Sequence, residues 1–498
     1  MEHERMLGCL KDLYPRYSRI WLLVLIALTT VSVHSHAQKN KTNVLFIIAD
    51  DLNCNLGSYN HYLVKTPNID KLAKGGMLFT NAFCNFPLCG PSRGSFMTGL
   101  YPDQTGHYAL RDYIRQHVPD VVTMSQNFMN QGYTSARVGK IYHYDNPKGI
   151  GTPGHDDPAS WDERYYPRGI DRDLEDRIFT LRPGAFGATL SWLAAPGRDE
   201  DHTDGKVATK AIELLGKYKE NNTPFFLGVG FYKPHTPFVA PAKYFDMYNP
   251  DDIKIPRTDK DYLATLPRPA AASLLTHKEQ IDLPDSIARR AIQGYYAVIS
   301  FLDAQVGRVL DALDSLGLRE NTIVVFTSDH GYHMGEHGYY QKKTLFEDSD
   351  RIPMIVSYPG MKHRGERSSS IVELIDMYPT LSDLAGLKTP EYIAGRSFKK
   401  VLERPGRETR TSALSQIEGG YTLRTKDYRF TRWGKGGPDM IELYDRRSDP
   451  AEMKNLARDH KYEDLIKKLD QQLTARITES AVPPKGLQVF KIARKKIK

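Results

Sequence analysis

A chain of 498 residues is too long to rest on one small core, and its 40% apolar and 26% charged content is that of a soluble globular protein. This excludes a disordered, collagen-like or polytopic membrane protein. The formal charge of +8, from 68 basic against 60 acidic residues, is concentrated in Lys491, Arg494, Lys495, Lys496 and Lys498, and no basic stripe with interleaved aromatics is present, so nucleic acid is not an expected partner.

The first element is an apolar run from Ile20 to Val33, preceded by Arg16 and Arg19 and followed by Ser35-His36-Ala37, small residues where a signal peptidase reads. The run is too short and too rich in Thr and Ser to span roughly 30 Å of hydrocarbon. Residues 1–37 are therefore expected to be a cleaved export signal that leaves no stable membrane span. The destination is then periplasmic or extracellular in a bacterium, lysosomal or secreted in a eukaryote. Cleavage leaves Cys54, Cys84 and Cys89, too few for a disulfide framework. Pairing of Cys54 with Cys84 would leave Cys89 alone, and an odd exported cysteine invites a reactive or modified role.

Asn43 to Ala49 reads as a strand buried on both faces, and it ends abruptly in Asp50-Asp51. Helical patterns follow at Ile69 to Lys74, Val122 to Asn130 and Val207 to Tyr218, then a strand at Phe225 to Phe231 and a helix at Ala288 to Leu316. Thr322 to Phe326 is a second buried strand ending in acid, Ser328-Asp329-His330-Gly331. Pro353 to Tyr358 is another strand, and Ile371 to Ala385 another helix. The alternation predicts an α/β fold with a large mixed, mostly parallel sheet flanked by helices. Ligands gather beyond the carboxyl ends of such strands, so two strands ending in Asp predict a cation site on one rim. Taken singly, each Asp would read as a cap or turn residue.

Asn146 to Asp204 and Ile255 to Asp285 show little periodicity and are expected to be long loops that shape access to that rim. From about Thr411, Tyr421 to Thr425, Tyr428 to Trp433 and Ile441 to Tyr444 read as short strands. Tyr462, Leu465, Ile466, Leu469, Leu473 and Ile477 then recur at helical spacing, so one face should pack on that small sheet. The expected organisation is a catalytic domain over 38–410 and a C-terminal antiparallel sheet-plus-helix subdomain with its basic tail over 411–498. The sequence carries no sign of oligomeric state.

Pro87-Leu88-Cys89-Gly90-Pro91-Ser92-Arg93 followed by Phe96-Met97-Thr98-Gly99 resembles the signature of the formylglycine-dependent sulfatases. Gly132-Tyr133-Thr134-Ser135 with Val138-Gly139-Lys140-Ile141-Tyr142-His143 resembles their second signature. Lys233-Pro234-His235 and Ser328-Asp329-His330-Gly331 with Gly335-Glu336-His337-Gly338 look closest to the iduronate-2-sulfatase branch. The resemblance implies an alkaline-phosphatase-like fold and oxidation of Cys89 to formylglycine by a separate maturing enzyme, formylglycine-generating or anaerobic. It implies a cation held by Asp50, Asp51, Asp329, His330 and the hydrated residue 89, calcium in preference to magnesium. It also implies Arg93 steadying the hydrate, Lys140 and Lys342 on sulfate, His143 orienting or deprotonating a hydroxyl of residue 89, and His235 donating a proton to the departing alcohol. His330 stands where many sulfatases carry Asn.

The chemistry agrees with that assignment. A sulfate monoester needs a nucleophile, positive charge around its oxygens and help for its leaving group. An ordinary thiol would give a thiosulfate-type adduct with no easy exit, whereas an aldehyde hydrate has two hydroxyls. The implied substrate is a sulfated carbohydrate, a 2-O-sulfated uronic acid of a glycosaminoglycan or related polysaccharide. Tyr101, His107, Tyr108, Arg111 and Arg115 follow the signature helix, and His107 and Arg111 are the candidates for contact with such a sugar.

His333-Met334-Gly335-Glu336-His337 spells an inverted zinc-peptidase motif, but Gly331, Gly335 and Gly338 argue for a loop rather than the helix that motif needs. A phosphate or phosphonate monoester hydrolase of the same superfamily is the closer rival. A non-catalytic carbohydrate-binding protein would hardly need the full set of ionisable residues.

Overall fold

The computed structural model describes residues 41–490; residues 1–37, where an export signal is expected, and the basic tail lie outside the described residues. The strands are β1 (Asn43–Asp50), β2 (Met77–Phe83), β3 (Thr134–Gly139), β4 (Glu163–Tyr165), β5 (Phe179–Thr180), β6 (Ser191–Ala195), β7 (Phe225–Pro234), β8 (Phe238–Pro241), β9 (Thr322–Ser328), β10 (Arg351–Ser357), β11 (Arg367–Glu373), β12 (Ser412–Ile417), β13 (Gly420–Thr425), β14 (Tyr428–Trp433) and β15 (Ile441–Asp445). Eight of them form the main sheet in the order β11-β2-β10-β9-β1-β7-β3-β4, and only β10 runs against its neighbours. The large, mostly parallel sheet follows from the apolar runs: every residue of β1 is buried, which only a central strand covered on both faces permits.

The alternation of side chains along β1 divides the core into two layers. Leu45 and Ile47 face the layer that holds helices α1 (Pro67–Gly75), here contributing Ile69 and Leu72, and two longer helices over Thr203–Glu220 and Asp285–Ser315. Val44, Phe46 and Ile48 face Phe96 and Met97 of Cys89–Thr98, Met124 and Phe128 of Met124–Asn130, and Met377 and Leu381 of Met377–Leu384. In the C-terminal part, β12 to β15 form a four-stranded antiparallel sheet. Leu469 and Leu473 of the Glu463–Ser480 helix pack on its Leu414, Leu423, Phe430 and Leu443, as the helical spacing predicts.

Three readings of the sequence are corrected. Ile371 to Ala385 is not one helix: it begins in strand β11, passes a short turn at Leu374–Asp376 and becomes helical at Met377. Pro379 explains the boundary, because its ring tolerates only the first helical turn. The segments 146–204 and 255–285 are not wholly irregular; they contain β4, β5, β6 and the short helix Arg268–Leu274. Cys54 and Cys84 do not pair: both are free thiols, Cys84 inside an apolar layer and Cys54 in a polar surface cleft beside Arg351.

A buried ionic cluster joins the small sheet to the end of the main one. Arg429 on β14 reaches Asp350 at 2.7 and 2.9 Å, Glu347 at 3.0 Å and Glu452 at 2.6 Å. Replacing it with methionine leaves buried Asp350 without its counter-ion, while Glu347 keeps Arg424 and Arg446 and Glu452 keeps Arg446, so Arg429→Met should lower stability by about 3–5 kcal/mol. Chemical denaturation measures this, and a change under about 1 kcal/mol would contradict the assignment.

Candidate active site

Four neighbouring parallel strands, β9, β1, β7 and β3, each release the chain at the same edge of the sheet. Ala49 and Ser328 are register partners, so Asp50 and Asp329 emerge side by side. The two turns are then stitched together. Asp51 adopts a left-handed backbone, φ 65°, with its amide 3.2 Å from Asp329 Oδ1. The Ser328 hydroxyl accepts from the Leu52 amide at 3.0 Å and donates to the His330 carbonyl at 2.8 Å. At the end of β3, Gly139 has φ 74°, and a Cβ there would meet the Gly230 carbonyl of β7 at 2.2 Å. Only glycine allows this approach, which delivers Lys140 into the cluster.

The helix α2 (Cys89–Thr98) points its first residue at these turns. Cys89 Sγ lies 3.2 Å from His330 Nε2, 3.5 Å from Lys342 Nζ and 3.8 Å from Asp51 Oδ1. One turn along, the buried Arg93 joins Asp50 (3.0 Å) to Asp329 (2.9 Å) and donates to the carbonyls of Lys140 and Ile141 at 2.7 and 2.9 Å. These four bonds go to carboxylates and carbonyls, and Arg93 also interacts electrostatically with Cys89 one turn before it. Lys140 bonds Asp50, Lys342 lies 2.5 and 2.6 Å from the two Asp51 oxygens, and His235 Nε2 is 3.8 Å from Asp51.

The charge of the site follows from these contacts. Burial pushes the Asp50 carboxyl up, but Lys140, His235 and Arg93 together outweigh it and hold the group well below the usual range. Asp51 is raised, burial and its acidic neighbours prevailing over Lys342. Burial also pushes the Cys89 thiol well above its ordinary value, so an unmodified thiolate is not available near neutral pH.

Asp50, Asp51 and Asp329 each direct an oxygen to within 4.8 Å of the others, and all three are buried. His330 Nδ1 donates to the Gly331 carbonyl at 2.8 Å, which leaves the Nε2 lone pair aimed at Asp51 and Asp329, 3.4 and 3.6 Å away. His330 joins Asp329 and Cys89 in a second group that overlaps the three carboxylates, and this donor set fits a divalent cation. The rival zinc-peptidase motif does not form: His337 has φ 57° and bonds Tyr262, while His333 is bonded to Thr344 at 2.8 Å.

Above the cluster opens a cleft of about 500 Å³ lined by Cys89, His143, His235 and Lys342. Burial lowers His143 to about 4, and its Nε2 is 3.5 Å from Asp145. Arg111 lies at the mouth and is paired with that same Asp145 at 3.1 Å. His107 is not in the cleft. It is buried beneath α2, where a Cβ on Gly94 would come 2.2 Å from its Nδ1, and its ring is 5.4 Å from that of His117. Tyr101, Tyr108 and Arg115 are likewise committed elsewhere, to Glu373, Asp103 and Asp157. Sequence reasoning missed Asn146, which donates to Asp50 at 3.2 Å, and Asp145. It also did not single out Gly184 to Ala188, Thr276 and His277, which wall the cleft from inside the two long segments.

Comparisons with known proteins fit this geometry. The sequence profile of the Sulfatase family matches residues 42–387, and that of the N-sulphoglucosamine sulphohydrolase C-terminal region matches 335–479. Human iduronate 2-sulfatase is 33% identical, with 91% of this chain and 99% of the relative covered. A sulfatase of Formosa agariphila is 32% identical over 86% of each chain. Among solved structures, a phosphonate monoester hydrolase of Agrobacterium radiobacter superposes with a TM-score of 0.75 at 23% identity, covering 91% of this chain and all of that one. A 2-O GAG sulfatase superposes with a TM-score of 0.69 at 24% identity, covering 91% and 95%. At these identities the superpositions establish the alkaline-phosphatase-like fold alone. The profile match over more than half the chain and the near-complete coverage of relatives one-third identical establish the rest: the chain belongs to the sulfatase family of sulfuric ester hydrolases.

Proposed function

We propose that this enzyme removes sulfate from a 2-O-sulfated uronic acid of a glycosaminoglycan or related polysaccharide, after export and after conversion of Cys89 to formylglycine by a separate maturing enzyme. The observation that carries the reading is the placement of residue 89 within 3.8 Å of Asp51, His330 and Lys342 at the floor of a cleft large enough for a sugar unit. Hydrated formylglycine supplies a nucleophilic hydroxyl and a second hydroxyl through which the sulfate can be released. Asp50, Asp51, Asp329 and His330 would hold a calcium ion, which when bound would supply Lewis-acid stabilisation of charge on the sulfate oxygens.

The side chains divide the remaining work. Arg93, Lys140 and Lys342 pair with the three carboxylates, so the buried site carries no excess of negative charge to repel an anionic ester. Lys140 and Lys342 hold the sulfate oxygens. His235 donates Nδ1–H to the Thr236 carbonyl at 2.5 Å, so Nε2 is the nitrogen that exchanges a proton in the site. Burial and then Lys342 depress its pKa well below normal, so its action as acid toward the leaving alcohol requires that it gain a proton with the entering anion, whose charge favours the imidazolium. His143, neutral above about pH 4, orients or deprotonates a hydroxyl of residue 89. Arg111 at the mouth is placed to meet a sugar carboxylate.

The sugar assignment is supported by the identity with human iduronate 2-sulfatase and by the basic lining of Arg111, Lys148 and Lys343. The fold shared with a phosphonate monoester hydrolase keeps a second reading open, hydrolysis of a phosphate or phosphonate monoester. Against a two-zinc phosphatase, the candidate ligand groups among the described residues all share one locus. A panel of defined sulfated disaccharides, with phosphate and phosphonate esters alongside, decides between them. The 2-O-sulfated uronyl disaccharide should be cleaved with a kcat/KM at least about tenfold above its competitors, a difference of about 1.4 kcal/mol. Preference for a phosphonate ester would overturn the reading.

A further inference from the structure

The segment that carries His235 is held by buried charge that never reaches the cleft. Strand β7 ends one residue before His235, and its Tyr232 and Lys233 amides donate to the carboxylate of Asp204 at 3.0 and 2.9 Å. Asp204 is the second residue of the Thr203–Glu220 helix, and the residue before it is pinned in turn: the amide and hydroxyl of Thr203 lie on Asp171 at 2.8 and 2.7 Å. Beyond His235, the ammonium of Lys233 donates to the Pro237 carbonyl at 2.9 Å. The loop from Lys233 to Pro237 is thus closed by its own first side chain and anchored at its base by Asp204.

Asp171, Asp204 and Lys233 are 5%, 1% and 4% exposed, and none of them lines the cleft. Placing such groups in the interior costs several kcal/mol each unless hydrogen bonds compensate, and apolar residues would serve stability as well. What the ionic arrangement supplies is direction. Two backbone amides held by the Asp204 carboxyl, which burial raises to about 7, fix the exit of β7, and the Lys233 ammonium fixes the return of the loop, so the imidazole between them is held in one orientation. Its Nδ1–H bond to Thr236 is made within that closed loop.

We propose that Asp204 is a positioning residue for His235, with Lys233 closing the loop that aims Nε2 at the leaving-group oxygen. The proposal rests on the reading of His235 as proton donor. A displacement of about 1 Å in a catalytic group costs roughly 10²-fold in rate, and that is the loss expected in kcat for Asp204→Asn, with KM within about twofold.

The test is a double-mutant cycle on the purified full chain, with the 2-O-sulfated uronyl disaccharide as substrate. Asp204→Asn, His235→Gln and the double variant are compared in kcat, with melting curves to establish that each is folded. If Asp204 acts through His235, adding Asp204→Asn to His235→Gln lowers kcat by no more than about threefold, whereas independent effects would multiply. A full additional 10²-fold loss in the double variant, or a single Asp204→Asn variant with normal kcat, overturns the proposal. A His235→Gln variant with normal kcat removes the proton-donor reading itself and the proposal with it. Should Asp204→Asn fail to fold, Lys233→Met takes its place in the same cycle. Failure of both to fold would assign the cluster to folding and likewise overturn it.

Discussion

Cys89→Ala should abolish sulfate release, with a loss on the order of 10⁶-fold as seen when an enzyme nucleophile is removed, while the protein stays folded. The two halves of this expectation have separate causes. Residue 89 is the first residue of α2, 1% exposed, and its side chain contacts Lys342, His330 and Asp51 rather than an apolar neighbour. Removing one sulfur there takes away little packing, and the cost should stay near 1 kcal/mol. The chemistry, by contrast, has no substitute. Among the described residues, Thr276 on the wall is the one serine or threonine lining the cleft. Ion chromatography of released sulfate and a melting curve together check the prediction, and mass analysis of the peptide carrying residue 89 shows whether the wild-type cysteine was converted. Turnover within tenfold of wild type in the alanine variant would rule out the mechanism.

The core of the site was legible because its determinants are local. The apolar run of β1 and that of β9 each announce a buried strand, each stops at an acid, and the parallel pairing of the two strands brings Asp50 and Asp329 together. Strands β2 and β3 were not legible. Thr134–Gly139 carries Arg137 at its centre, and what lets a guanidinium lie in an inner strand is the pair of bonds it donates to one oxygen of Asp156, nineteen residues away. Arg93 shows the same limit from another side. Its position on α2 could be read, but its bonds to Asp50 and Asp329 join residues 43 and 236 positions distant. His107 looked like a polar loop residue and is buried, because Gly94 leaves a space on α2 that only the fold fills with an imidazole. Periodicity reports which face of an element is covered; it carries no information about which distant polar group completes a buried charge.

Asp50→Asn should lose the cation and the activity together. Asp50 accepts from Arg93, Lys140 and the neutral Asn146 amide, and despite complete burial the positive charge around it, Lys140 first, holds its carboxyl well below the usual range. An amide of the same shape removes one of three negative charges while Arg93, Lys140 and Lys342 all remain, so a divalent ion would enter a site already carrying an excess of positive charge. Loss of a metal's transition-state stabilisation, worth several kcal/mol, corresponds to a fall of about 10³-fold or more in kcat/KM. The substitution also leaves Lys140 without its buried counter-ion, while Arg93 keeps Asp329, at about 3–5 kcal/mol of stability, so loss of activity alone would not distinguish metal loss from unfolding. The calcium dependence of melting does. Calcium at 100 times its dissociation constant should stabilise the chelator-stripped wild type by about 2.7 kcal/mol, and magnesium by less. Folded Asp50→Asn protein should show no such response at the same concentration. A variant whose melting still rises with calcium, or that retains a tenth of wild-type turnover, would place the cation elsewhere than among Asp50, Asp51, Asp329 and His330.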